Sequence, residues 1–93
     1  MGQFSHIYRT ARWKKVRTYV IGRAHGLCEG CKRRGVMRPG REVDHIEELT
    51  EENCTVDAIV YNPKNLQLLC TDCHNEKHDR SIGIQRFLSP PGG

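Results

Sequence analysis

Asn65-Leu66-Gln67-Leu68-Leu69-Cys70-Thr71-Asp72-Cys73-His74-Asn75-Glu76-Lys77-His78 is the stretch from which the rest of the chain can be read. It follows the turn signal Asn62-Pro63 and opens on a short apolar segment, Asn65 to Leu69. Thr71 to about Asp79 then reads as a helix, with Thr71 or Asp72 as its cap. His74 and His78 stand one helical turn apart and so share a face. Cys73 and His74 are adjacent and point about 100° apart around that helix. One helix can thus hold a metal on one side and a second metal on another.

The first of those metals is indicated by a matching motif upstream. Cys28-Glu29-Gly30-Cys31 and Cys70-Thr71-Asp72-Cys73 are two Cys-x-x-Cys pairs. Each pair can place two thiolates on one ion, and together they complete a tetrahedral shell. Zinc suits such a closed structural site, being redox-inactive and content with four sulfurs. An iron site of rubredoxin type has the same ligand set. A thioredoxin-like redox pair would need a larger βαβ context, and a disulfide framework is disfavoured by the odd fifth cysteine, Cys54. The staple would join the end of a first helix to the start of a second, and would contribute much of the folding free energy.

That first helix is expected from Thr10 to His25. Trp13, Val16, Val20, Ala24 and Leu27 recur at three- and four-residue steps, with Thr10 as N-cap and Gly26 placed to end the helix in a left-handed conformation. Cys28 to Cys31 reads as a tight turn. Arg41 to Ile46 reads as a strand after the Pro39-Gly40 turn, with Gly35 to Met37 as its candidate hairpin partner. Thr50 to Asn53 can open a short helical turn within the poorly legible segment from Glu47 to Tyr61. Residues 1–9 read as a flexible arm, 10–87 as a single domain, and 88–93, rich in proline and glycine, as a disordered tail.

Ninety-three residues with 6% aromatic content can bury only a modest core, which again calls for a staple. No apolar run approaches the roughly 18 to 20 residues of a membrane span, and Met1 to Arg9 holds no apolar core of a signal peptide. A cytoplasmic, membrane-free monomer is therefore expected. The net charge of +4 is unevenly spread. Arg9 to Arg41 is crowded with Lys and Arg against one acid, Glu29, whereas Glu42 to Asp57 carries acids and no Lys or Arg. The basic half suits a phosphate backbone. Arg12, Lys15, Arg17, Arg41 and Lys77 are the candidate nucleic-acid contacts, with a solvated basic face as the plainer alternative.

Val43-Asp44-His45-Ile46 supplies what a zinc staple alone does not need. Phosphodiester hydrolysis requires an activated water, a cation near the scissile phosphate and stabilisation of the departing 3'-oxygen. His45 can serve as general base, because imidazole titrates near neutral pH. Asp44, His74 and His78 offer a carboxylate and two imidazoles to a divalent ion: manganese, magnesium, nickel or cobalt (Mn2+, Mg2+, Ni2+, Co2+) in addition to the structural Zn2+. Successive strand residues point to opposite faces, so the backbone is expected to bend just after Asp44, with the Asn65 amide pinning the bend.

Taken together, Val43 to Ile46, Asn65 to Cys70 and Cys73 to Lys77 resemble the HNH endonuclease family, in its zinc-bearing branch of stand-alone phage and prophage members. The first helix, Trp13, Gly26 and Leu27 resemble that branch too, and the resemblance spans about residues 10 to 80. It implies an α+β fold of ββα-metal type, in which a β-hairpin and a helix clasp one catalytic ion. It implies His45 as general base, Asn65 as a positioning residue, and Asp44 and His74 as ligands. Many zinc-bearing members have Thr or Ser where this chain has His78, whereas colicin-type nucleases have a second imidazole there, which makes His78 a candidate third ligand. The function implied is endonucleolytic nicking of DNA. The alternatives are a non-catalytic zinc-stapled DNA-binding module, or an accessory subunit beside phage DNA-packaging proteins.

Overall fold

Two antiparallel strands carry the architecture: β1, Glu42–His45, pairs with β2, Leu66–Leu69, in the register Glu42 to Leu69, Val43 to Leu68, Asp44 to Gln67 and His45 to Leu66. The chain is a small α+β protein, and its computed structural model describes residues 4–82. Side chains alternate across the sheet. One face presents Leu66 and Leu68 to Trp13, Val20 and Ala24, with Val43 packed alongside. The other presents Leu69 to Cys28, Cys31 and Cys70. All four β2 residues are buried, which explains why this strand reads as a near-continuous apolar run rather than an alternating one.

The first face is covered by α2, Ala11–Arg23, whose N-terminus is capped as expected: the Trp13 amide donates to Thr10 Oγ1 at 3.1 Å. Its C-terminus turns left-handed one residue earlier than expected, at His25 (φ 54) as well as Gly26 (φ 74), and the Gly26 amide closes the end on the Ile21 carbonyl. The second face receives α3, Glu29–Arg33, and α5, Thr71–Ile82. A short helix α4, Asp57–Val60, and a 3₁₀ turn, Pro63–Asn65, lead into β2. No helix of the described residues is long and apolar enough to cross a membrane.

Several expectations are corrected by tertiary contacts. Gly35 to Met37 is not the partner of β1. Its side chains find no layer to cover them, Met37 being 77% exposed, whereas Leu66 to Leu69 is buried on both faces. Instead, the segment returns to the end of α2: the Cys28 amide donates to Arg38 O, and the Gly40 amide to Gly26 O. Gly40 lies so close to Leu68 that an added Cβ would stand 2.3 Å from that side chain. The Cys28 to Cys31 turn continues into a helix, α3. Its sulfur Cys28 caps the Cys31 amide, and Cys70 rather than Thr71 or Asp72 receives the Cys73 amide on α5. The flexible arm expected over residues 1–9 is in part structured. Ser5–Tyr8 forms a helical turn, α1, held because Ile7 is buried to 3% exposure and its carbonyl accepts from Thr10 Oγ1. Residues 1–3, 83–87 and the expected disordered tail 88–93 lie outside the described residues.

Candidate metal centres and active cleft

The four paired cysteines converge where α3 and α5 begin. Cys28, Cys31, Cys70 and Cys73 each offer a sulfur, all within 4.8 Å of one another. Cys31 Sγ lies 3.7 Å from both Cys70 Sγ and Cys73 Sγ. Metal–sulfur bonds of about 2.3 Å in a tetrahedron space the sulfurs by roughly 3.8 Å, so the cage has the dimensions of a zinc shell. Its protonation chemistry agrees. Burial opposes a thiolate at Cys28, but amide and thiol hydrogen bonds from Cys31, Cys70 and Cys73 outweigh it and bring that thiol down to about 6. Burial and the neighbouring thiols push Cys73 up to about 12. A crowd of sulfurs that cannot ionise together is a donor set suited to a divalent cation. Arg34 adds a permanent charge beside it, 3.5 Å from Cys73 Sγ. Cys54 stands apart and donates to Glu51 O.

The second cluster forms where α5 crosses the β1 end of the sheet. Asp44 Oδ1 lies 3.4 Å from His78 Nε2 and 3.9 Å from His74 Nε2, and the three residues form a mutually close donor group. Bonds of about 2.1 Å place neighbouring donors roughly 3.0 to 3.5 Å apart, so this set fits an ion with little movement. The other oxygen, Oδ2, is held by Lys77 Nζ, which also donates to the His45 carbonyl. Lys77, a candidate phosphate contact in the sequence, is therefore turned inward, only 23% exposed.

His45 faces the other way, toward α2. Its ring stacks on Trp13, centroids 5.3 Å apart, and its Nε2 lies 3.0 Å from the Val60 carbonyl. That carbonyl can only accept, so Nε2 carries the proton and Nδ1 has a free lone pair. Burial, the largest influence, holds the imidazole pKa below its ordinary value. Although Asp44 and His45 leave opposite faces of β1, both line one cleft of about 370 Å³ together with Tyr8, Trp13, His74 and His78. The expected bend after Asp44 does not occur, and β1 stays in register through His45. No strand pairs with the outer edge of β1 among the described residues, so a cleft along that edge meets side chains from both faces.

Asn65 acts further along than expected. Its Oδ1 accepts from the Glu47 amide at 2.8 Å, and its Nδ2 donates to the carbonyls of Glu47 and Ile59. It thereby ties the exit of β1 to the turn of α4 that presents Val60 O to His45. Asn65→Ala removes these bonds, two of them exposed and one half-buried, and a loss of about 0.5 to 1.5 kcal/mol in stability is expected from denaturant titration. Turnover should fall by as much as about 10²-fold as the imidazole loses its alignment. A variant of unchanged stability and rate would remove Asn65 from this role.

The basic residues named from the sequence do not gather. Arg17 lines the cleft. Arg12 is committed to Asp57 at 3.0 Å and to the face of Tyr61. Lys15 and Arg41 are exposed and do not line the cleft. The Trp13 stack, the Val60 carbonyl and Tyr8 at the cleft wall escaped the sequence reading. Trp13 was legible as a member of the apolar stripe and of the family resemblance but not as a partner of His45, and a backbone carbonyl has no signature at all.

Comparison with known proteins adds three findings. A family profile described as HNH endonuclease matches residues 28–80. A protein of Lactococcus phage SK1 described as "Probable HNH endonuclease" is 47% identical over 70 residues, covering 75% of this chain and 72% of that relative. The crystal structure of the deep-sea thermophilic bacteriophage GVE2 HNH endonuclease with manganese ion is similar with a TM-score of 0.74 at 26% identity, over 86% of this chain and 83% of that one.

Proposed function

As this chain belongs to the HNH endonuclease family, and is an endonuclease by that membership, we propose that it hydrolyses DNA phosphodiesters one strand at a time, with His45 as the general base. The observation that carries the reading is the shared cleft: a neutral imidazole oriented by a backbone carbonyl stands beside a carboxylate and two imidazoles of metal-ligand spacing. Asp44, His74 and His78 would hold the divalent ion. When bound, such an ion supplies positive charge beside the scissile phosphate and the departing 3'-oxygen. Manganese, which the GVE2 enzyme's structure contains, is the first ion to test.

The chain's own residues account for the proton. Val60 O retains the Nε2 proton, so Nδ1 accepts a proton from water as the water oxygen attacks phosphorus and the bond to the 3'-oxygen breaks. Trp13 holds the ring plane and keeps water from its stacked face. Lys77 occupies Asp44 Oδ2 and leaves Oδ1 directed at the two imidazoles. One cluster of this kind attacks one bond at a time, which favours nicking over a double-strand cut in a monomer. The zinc cage fixes the starts of α3 and α5 and takes no part in the reaction.

Conversion of supercoiled plasmid to nicked circle with manganese tests the activity. No cleavage with manganese, magnesium, nickel or cobalt would defeat the reading. The pH dependence tests the base. A base must be unprotonated, and burial lowers the pKa of His45, so the rate is expected to rise with pH along a limb centred below about 6.5, the ordinary imidazole value. A limb centred above that value would argue for a different group.

A further inference from the structure

Among the described residues, Arg12, Arg23, Arg34, Arg38 and Lys77 stand in ion pairs with carboxylates. No carboxylate lies within ion-pair distance of Lys32, Arg33 or Lys64 among those residues, and these three line one groove of about 470 Å³. They arrive there from two elements distant in sequence, α3 and the 3₁₀ turn before β2. The groove has one carboxylate, Glu29, and it is consumed: Arg23 binds both of its oxygens, and the Leu68 amide donates to one of them. Among the described residues, nothing neutralises the surplus of positive charge in this groove.

Its position is equally specific. Ile46, the residue after His45, forms part of its wall. Arg33 and Gln67 line both this groove and a second recess of about 350 Å³ that contains Arg34 and Lys77. Arg33 donates to Gln67 Oε1 at 3.0 Å, and Gln67 is the register partner of Asp44. Lys77 in turn holds Asp44. The groove is thus linked to the Asp44 cluster through Lys77, Gln67 and Arg33, and it runs past Leu66 to Lys64 and to Arg23 at the end of α2.

We infer that the groove lined by Lys32, Arg33 and Lys64 is a binding site for the phosphate backbone of the nucleic acid, seating the strand beyond the bond that is cut. The inference rests on the nuclease reading and adds a surface to it. None of the five basic residues singled out in the sequence is in this groove. Recognition there is of phosphate and not of bases, because lysine presents a point charge on a flexible stem, and the walls offer few directed donors. Each phosphate neutralised releases condensed counterions, so the site has a measurable signature in salt.

The experiment is binding of a short fluorescein-labelled DNA duplex of mixed sequence to the zinc-loaded full chain, without added catalytic ion, over about 50 to 200 mM KCl. Lys32→Ala and Lys64→Ala are each expected to lower the slope of log Kd against log salt by about one, and the double variant by about two. With catalytic manganese present, the double variant should raise KM for plasmid nicking several-fold and leave kcat within about two-fold, since the binding lost is common to ground and transition states. Lys32→Glu/Lys64→Glu should weaken binding further. Zinc content and melting temperature show that these variants are folded. An unchanged salt slope in the folded double variant overturns the site, even if the wild type nicks plasmid. A lowered slope in a protein that never cleaves would keep the site and defeat the nuclease reading.

Discussion

Cys70→Ser is expected to unfold the domain and release its zinc. Cys70 supplies a sulfur to the cage, 3.7 Å from Cys31 Sγ, and also caps α5 by receiving the Cys73 amide. The energetics decide the outcome. Structural zinc sites contribute roughly 10 to 16 kcal/mol at neutral pH, whereas a whole domain is stable by about 5 to 15 kcal/mol. Losing most of the first exhausts the second. The rest of the core is small: among the described residues it consists of Trp13, Val20, Ala24, Leu66 and Leu68 with a few half-buried neighbours, and of Ile7 and Val60. The cage itself joins Leu69 to both cysteine pairs. Circular dichroism and zinc release to a colorimetric chelator would measure both effects, and chelation of the wild type should reproduce them. Cys54→Ser is the control: among the described residues the Cys54 thiol bonds Glu51 O and no cage sulfur, and the variant should keep its zinc and its fold. A folded, zinc-loaded Cys70→Ser protein would overturn the structural role of the cage.

Substitution of His45 carries the second large effect, this time on rate. His45→Ala should lower nicking by about 10² to 10⁴-fold, the range a positioned general base supplies. Because the ring stacks on Trp13 and meets Val60 O, alanine also leaves a cavity and an unpaired carbonyl, which costs stability. His45→Gln separates the two effects. Its amide can donate to Val60 O, yet it cannot take a proton from water. Loss of cleavage in a folded His45→Gln protein that retains zinc and DNA binding would assign the base. Retained cleavage would remove His45 from the chemistry and direct attention to the other imidazoles of the cleft, His74 and His78.

Much of this design was legible from local pattern. Two Cys-x-x-Cys motifs bring four sulfurs into a 4.8 Å cage because each motif is short enough to chelate by itself. The spacing of His74 and His78 becomes a shared face as soon as the segment is helical, and it does so on α5. Thr10 caps α2 through a contact only three residues long. The relation of Asn65 to the end of β1 was foreseen in kind, but not its register: it clasps Glu47 and Ile59 while β1 runs straight through His45.

What the sequence determined by itself, then, was the staple, the two main helices, the strand at Arg41 to Ile46, the apolar character of Asn65 to Leu69 and the identity of the polar residues. Each of these depends on chain periodicity or on chelate spacing, which act over a few residues. Only the tertiary structure decided which segment pairs with β1, that Ile7 seats the N-terminal turn, that Val60 O sets the tautomer of His45 from 15 residues away, and that Lys77 turns inward onto Asp44 from 33. It also decided which basic side chains keep an unpaired charge, since Arg12 finds Asp57 at a separation of 45 while Lys32 and Lys64 find no carboxylate among the described residues. Ion pairs and carbonyl contacts of that range are set by the packing of α2, α4 and α5 around a two-stranded sheet, and packing leaves no periodic trace along the chain.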